Sequence, residues 1–197
     1  MQDGMITVAL SFLDAEATIE AAVRSVLRQS YTNWQLLLID DGSRDRTPEL
    51  VARFADPRIR VLRDGERRGL AARLNQAIDL AEGEFFARMD ADDLCFPDRF
   101  ARQVSFLREN PSVDLVGTRA LIFTDYQTTL GFQRYRGTHG DICERPWLAF
   151  ELPHPSWMGR VPWFRNHRYR ERMRRAQDQD LLLRSFRSST FANRRSP

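Results

Sequence analysis

The chain contains no lysine: all 30 of its basic residues are arginine. A P-loop phosphate site, a Schiff-base enzyme and a phospho-receiver domain each depend on a lysine, so these three classes are excluded. Cysteine is nearly as scarce. Cys95 and Cys143 stand far apart without a CxxC spacing, which gives no zinc signature and suits a reducing compartment. No apolar run approaches the roughly 18 residues of a membrane span. The N-terminus has no basic segment leading into an apolar one, so no signal peptide is read there. A cytoplasmic protein is the expectation.

What is present fits one domain. The 197 residues are 42% hydrophobic, enough for a real core. Charge is uneven: residues 1–130 carry 16 arginines against 21 acids, and residues 131–197 carry 14 against 6. A basic second half with Trp147, Trp157, Trp163, Phe164 and Tyr169 interleaved suits an anionic partner, nucleic acid or a membrane surface. A solvated basic helix with aromatic anchors accounts for it equally well.

Short apolar runs alternate with helical patterns. Ile6 to Leu10, Leu36 to Ile39, Ile59 to Leu62, the run into Asp90, and Val113 to Val116 read as strands. Between them, Ile19, Ala22, Val23 and Val26 recur at helical spacing, as do Leu70, Leu74, Ala77 and Ile78, then Phe100, Val104 and Leu107. Thr47 before Pro48 reads as an N-cap opening a helix that runs through Phe54. Gly83 reads as a C′ glycine closing the helix before it. Four such alternations predict a mostly parallel sheet covered by helices, with ligands beyond the carboxyl ends of its strands. From Thr124 to Arg175 the pattern weakens into Gly- and Pro-punctuated loops. A helix returns over Ala176 to Phe186, and the last eleven residues, lacking an apolar pattern, are expected to fray. The division expected is a nucleotide-binding half, 1–123, and an acceptor-side segment, 124–197, within one domain.

The chemistry concentrates at strand ends. Met89-Asp90-Ala91-Asp92-Asp93 places three carboxylates within four residues directly after an apolar run. Like charges so close require a cation or a proton. Asp40 and Asp41 end another strand, and Ser11 a third. Hard oxygen ligands of this kind favour Mg²⁺ or Mn²⁺ and point to a diphosphate-bearing substrate. Taken alone, Asp40 to Asp45 is also what a turn before a helix looks like. Asp178 alone is what a surface ion pair with Arg174 or Arg175 looks like.

The ordered set of motifs resembles the family 2 glycosyltransferases, inverting enzymes of the Rossmann-like α/β fold called GT-A. The pieces are Val8-Ala9-Leu10-Ser11 with Asp14, Asp40-Asp41-Gly42-Ser43, Gly69-Leu70 with Asn75, Met89-Asp90-Ala91-Asp92-Asp93, His154-Pro155-Ser156, and Gln177-Asp178-Gln179-Asp180. The resemblance implies that Asp41 accepts from the nucleotide base, with Ser11 near it and Asp14 and Ser43 in the same site. It implies that Asp90 lies near the ribose, Asp92 ligates a Mn²⁺ or Mg²⁺ ion on the diphosphate, and Asp93 sits close to the donor sugar. Arg73 is expected to touch the nucleotide, His154 to lie near the diphosphate or metal, and Asp178 to act as general base. The partners implied are a nucleotide-sugar, a UDP-sugar first, and a saccharide or lipid-linked acceptor of cell-envelope synthesis. Peripheral contact with the inner face of the membrane is compatible with it, and no nucleic-acid partner is expected.

Two positions depart from the family pattern. Asp14 stands where asparagine is common, and Gln177 stands where glutamate usually precedes the base, which removes one negative charge beside Asp178. The family often continues beyond Phe186, so Ser185 to Pro197 reads as curtailed. That leaves a nucleotide-sugar-binding form with impaired catalysis as one alternative. A sugar-phosphate nucleotidyltransferase is another, although Leu13-Asp14-Ala15-Glu16 is not the Gly- and basic-rich loop it would need.

Overall fold

The computed structural model describes residues 2–124, 128–134 and 136–194. The parts of the irregular run at 125–127 and 135, and the last three residues of the chain, lie outside them. Strands β1 (Gln2–Phe12), β2 (Trp34–Asp40), β3 (Ile59–Leu62) and β4 (Gly83–Asp90) alternate with helices α1 (Ile19–Leu27), α2 (Thr47–Val51), α3 (Leu70–Asp79) and α4 (Arg99–Glu109). Then come β5 (Leu115–Thr118), the hairpin β6 (Leu121–Phe123) and β7 (Thr129–Phe132), α5 (His139–Ile142), a 3₁₀ turn (His154–Ser156), β8 (Met158–Arg160), α6 (Val161–Asn166), α7 (Gln177–Ser185) and β9 (Phe191–Arg194).

Seven strands form one sheet in the order β3-β2-β1-β4-β8-β5-β9. The first four are parallel, β8 runs antiparallel to both β4 and β5, and β9 is parallel to β5. The strand order therefore reverses at β1, between β2 and β4, where an open α/β sheet opens a crevice at its carboxyl edge.

Both faces are covered, which explains the unbroken apolar runs. In β2, Leu36 and Leu38 pack with Val23, Val26, Phe100 and Val104 on one face. Leu37 and Ile39 pack with Leu74, Ile78, Phe164 and Leu181 on the other. Burying one such leucine contributes about 2 kcal/mol. The helical spacing read for α1, α3 and α4 corresponds to their buried positions.

Four local expectations are corrected. Thr47 is the first helical residue rather than the cap; its hydroxyl donates to Asp45 Oδ1 and accepts from the Ala15 N–H at 2.8 Å. That helix ends at Val51, not Phe54. Gly83 opens β4 instead of closing α3: a Cβ there would stand 2.2 Å from the Met5 carbonyl oxygen, so only glycine lets the two strands approach at the irregular start of β1. The end of the chain is not frayed through Arg194. Phe191 is buried, stacks edge-on against Trp163, and pairs with Leu115 in β9. Its N–H donates to His139 Nδ1 at 3.1 Å. A strand of four residues with one apolar anchor carries too little period to be seen in sequence.

Candidate active site

The parallel register places the expected residues together. Ser11 lies opposite Ile39 on β2 and opposite Asp90 on β4, and Phe12 lies opposite Asp40. The Asp41 N–H donates to the Phe12 carbonyl at 2.9 Å, so β1 and β2 leave the sheet as a joined pair.

The two loops that follow are bonded to each other. The Asp14 N–H donates to Ser43 Oγ at 3.1 Å, and Asp14 Oδ1 accepts from the Arg44 N–H at 2.7 Å. Asp14 has φ +48°, a left-handed conformation that aspartate and asparagine tolerate better than other residues. Aspartate and asparagine both suit this turn. Asp40 Oδ1 accepts from the Ser43 N–H at 2.8 Å, closing the turn.

Asp41 is buried and already engaged. Its Oδ1 accepts from the Arg68 N–H at 2.8 Å and from Arg73 Nε at 2.9 Å, and the Gly69 N–H reaches both oxygens at 3.0 Å. Gly69 has φ +89°, where a side chain would be strained. Arg73 directs every donor to protein: Nε to Asp41, Nη1 to Asp64 and Gln76, Nη2 to Asp64 and the Glu66 carbonyl. Its arginine hydrogen bonds hold the Asp64 carboxyl well below the usual range. The guanidinium expected at the nucleotide is thus committed to the loop before α3.

At the end of β4 the carboxylate oxygens of Asp90, Asp92 and Asp93 lie within 4.8 Å of one another. Burial, with the charges of Asp90 and Asp92, pushes the Asp93 carboxyl up to about 6. Like charges crowded at a partly buried strand end raise one carboxyl in this way, and the donors are hard oxygens, so the residues fit a divalent ion. His154 is not part of that set. Its Nε2 lies 2.8 Å from the Tyr169 hydroxyl and its ring packs edge-on against Trp157. Burial, and secondarily Arg88, hold it well below its ordinary pKa and therefore neutral.

Asp178 sits in the first turn of α7, partly exposed, with Gln179 Nε2 3.3 Å from its Oδ2. Gln179 also accepts from the Phe150 N–H at 2.7 Å. Among the described residues no arginine pairs with Asp178; Arg170 and Arg184 pair with Asp180 instead. The residue before the helix, Ala176, has φ +52°.

Two buried residues were given no site role from the sequence. Arg88, 1% exposed, ion-pairs with Asp90 through Nη2, while its Nε and Nη1 have no acceptor among the described residues. Tyr169 is fully enclosed; burial raises its hydroxyl pKa, Arg88 opposes that rise, and Asp178 and Asp90 add to it. The Tyr169 hydroxyl therefore stands within the fields of both the β4 end and Asp178. An arginine two residues before Asp90, between the run Phe85-Phe86-Ala87 and Met89, was the signal for the first. Tyr169 lay in the segment without period.

A parallel sheet with three acidic or polar strand ends at one crevice, extended by an antiparallel strand, defines a GT-A protein. The model of the family described as Glycosyl transferase family 2 matches residues 7–189, and the chain belongs to that family. EpsE of Bacillus subtilis, provisionally named a glycosyltransferase, is 34% identical over 92% of this chain and 66% of its own. The Escherichia coli UDP-Glc:alpha-D-GlcNAc-diphosphoundecaprenol beta-1,3-glucosyltransferase WfgD is 35% identical over 62% of this chain and 48% of its own. The chain thus spans about half to two thirds of the length of these relatives. S. aureus TarS has the same fold, with a TM-score of 0.79 at 17% identity over 96% of this chain and 57% of the TarS chain. So does the mannosyltransferase PcManGT from Pyrobaculum calidifontis in complex with GDP-Man and Mn²⁺, at 0.71 and 20% over 98% and 54%.

Proposed function

We propose that this chain transfers a sugar from a nucleoside-diphosphate donor to a hydroxyl acceptor with inversion at the anomeric carbon. The observation that carries this reading is the convergence of Asp90, Asp92 and Asp93 at the end of β4, in register with Ser11 and at the same carboxyl edge of the sheet as Asp41. Among the described residues Asp41 Oδ2 takes one hydrogen bond, from the Gly69 N–H, and a carboxylate oxygen accepts about two, so it retains capacity for a base N–H. Ser11 lines the same edge. Asp14, Ser43 and Arg73 hold the loops that shape this end and act through Asp41 and its neighbours.

Asp92, with Asp90 and Asp93 beside it, would hold a Mn²⁺ or Mg²⁺ ion, which supplies positive charge for the leaving diphosphate. Asp178 takes the proton from the acceptor hydroxyl. The acceptor oxygen bonds to the anomeric carbon as the carbon–oxygen bond to the diphosphate breaks, and the nucleoside diphosphate leaves with that electron pair. His154, held neutral, pairs with the buried Tyr169, whose hydroxyl feels the charges of both Asp90 and Asp178.

A UDP-sugar is the donor favoured, supported by the structure of TarS in complex with UDP-GlcNAc and by the donor in the name of WfgD. A lipid-linked acceptor of cell-envelope synthesis is supported by the second half of that name. It is also supported by the exposed Ile122, Leu130, Phe132, Trp147 and Leu148 that follow the carboxyl end of β5. No described helix is long and apolar enough to cross a membrane, so such an acceptor would be met at the membrane surface.

The test is donor turnover with Mn²⁺ against EDTA, using UDP-Glc, UDP-GlcNAc and GDP-Man, for the wild type and Asp178→Asn. Metal-dependent release of nucleoside diphosphate, with transfer lost in Asp178→Asn and nucleotide binding kept, is the expected result. Binding without turnover in the wild type favours a nucleotide-sugar-binding role, and pyrophosphate release from a nucleoside triphosphate overturns sugar transfer altogether.

A further inference from the structure

The side chain of Asn75, on α3, is buried and bonded to residues more than ninety positions away. Its Nδ2 donates to the Tyr169 carbonyl at 2.9 Å and to Glu171 Oε1 at 3.0 Å. Its Oδ1 accepts from the Tyr169 N–H at 3.1 Å and from Arg168 Nε at 3.3 Å. Every hydrogen-bonding position of the amide is occupied, and all four partners lie in the segment 168–171. Helix formation does not explain an asparagine here, since it is a poorer helix residue than alanine by about half a kcal/mol.

The connections continue on both sides. Arg168 Nη2 donates to the Asn75 carbonyl at 3.0 Å, and its guanidinium also holds Asp79. The Arg168 carbonyl accepts from Arg184 Nη2 at 2.8 Å, Arg184 pairs with Asp180, and Asp180 pairs with Arg170. Both arginines thus tie the segment that Asn75 grips to α7, the helix of Asp178. Two residues earlier on α3, about 200° around its axis, Arg73 holds Asp41. One short helix carries the anchor of the nucleotide end and the anchor of the Asp178 end on different faces.

We infer that Asn75 is a positioning residue that sets Asp178 against the donor end by clamping residues 168–171 to α3. This rests on the reading of Asp178 as the base. It requires no contact between Asn75 and any substrate.

The experiment compares wild type with Asn75→Ala and Asn75→Asp in three measurements. These are stabilisation by UDP with Mn²⁺, sugar transfer at saturating donor, and backbone hydrogen exchange. Displacing a reacting group by an ångström lowers rates by up to about a hundredfold, so transfer kcat should fall at least about tenfold in Asn75→Ala. The KM for the donor should stay within about twofold, because ground-state donor binding is untouched. Exchange should quicken across 168–186 and stay unchanged in 7–12, 36–45 and 83–93. Asn75→Asp, which keeps both accepted bonds but sets a carboxylate oxygen against the Tyr169 carbonyl and the Glu171 carboxylate, should fall at least as far as Asn75→Ala.

Normal transfer in Asn75→Ala overturns the inference. So does a loss of kcat, donor affinity and exchange protection together, which is the mark of general destabilisation. If the wild type transfers no sugar, the functional reading fails. The exchange pattern then still decides the clamp, because faster exchange confined to 168–186 supports it and any other pattern sinks it.

Discussion

Asp41 and Arg73 form a buried ion pair, 2.9 Å between Oδ1 and Nε with side-chain exposures of 7% and 1%. The carboxylate at the end of β2 is therefore held in place before any ligand arrives. Removing one partner of such a pair strands the other charge and costs about 3–5 kcal/mol. Arg73→Met should lower stability by about that amount, read as the urea midpoint at unchanged slope. Replacing both with apolar residues should recover part of the loss while nucleotide binding stays absent.

Asp93 gives a pH signature. Its carboxyl is raised in the folded chain from 3.8 to about 6, so the folded state holds that proton more tightly than the unfolded one. Its protonated form is the stabilised one: below pH 3.8 there is no penalty, and a penalty develops as pH rises through 6. Asp93→Asn should therefore be more stable than wild type at pH 7.5, by no more than about 2 kcal/mol after discounting for solvent screening. The difference should vanish below pH 4 in thermal unfolding.

The same charge balance predicts the response to metal. Mn²⁺ must displace the Asp93 proton at pH 5 but not at pH 7.5, so it should raise Tm more at the higher pH. EDTA should abolish the shift, and Asp92→Asn should show none.

Ala176 holds φ +52° directly before Gln177 and Asp178. An L-residue there costs about 1–2 kcal/mol relative to glycine. Ala176→Gly should raise stability by about 1 kcal/mol, checked by urea unfolding. An unchanged or lower midpoint would mean that the bend is not strained.

Phe191 closes the sheet edge. Truncating a buried phenylalanine costs about 3–5 kcal/mol. Phe191→Ala, or removal of residues 187–197, should lower Tm by several degrees.

The parallel half of the fold was legible because buried strands and amphipathic helices repeat an apolar period. The carboxylates at strand ends were legible because acids there conflict with burial. Asn75 and Ser43 stood in recognisable motifs, yet their partners, Tyr169 and Asp14, lie where no local pattern fixes a distance. Arg73 shows the limit most plainly. Its place in a helix was readable, but its five acceptors come from residues 41, 64, 66 and 76, brought together only by the turn at Gly69. The short strands β8 and β9 were missed for the same reason, since their identity comes from the neighbours they pair with.

The antiparallel placement of β8 has an evolutionary consequence. It is hydrogen-bonded to both β4 and β5, so everything between Thr118 and Met158 is one long excursion between two adjacent strands. Closing a loop costs little more when it is longer, about 0.6 kcal/mol for each doubling. The exposed part of that stretch, around Trp147 and Leu148, can be lengthened at little cost, whereas Ile142, Phe150, Leu152 and Trp157 are buried in the core and fix the rest. The excursion therefore holds two kinds of sequence: buried anchors that tolerate little change, and an exposed tip where added length costs little.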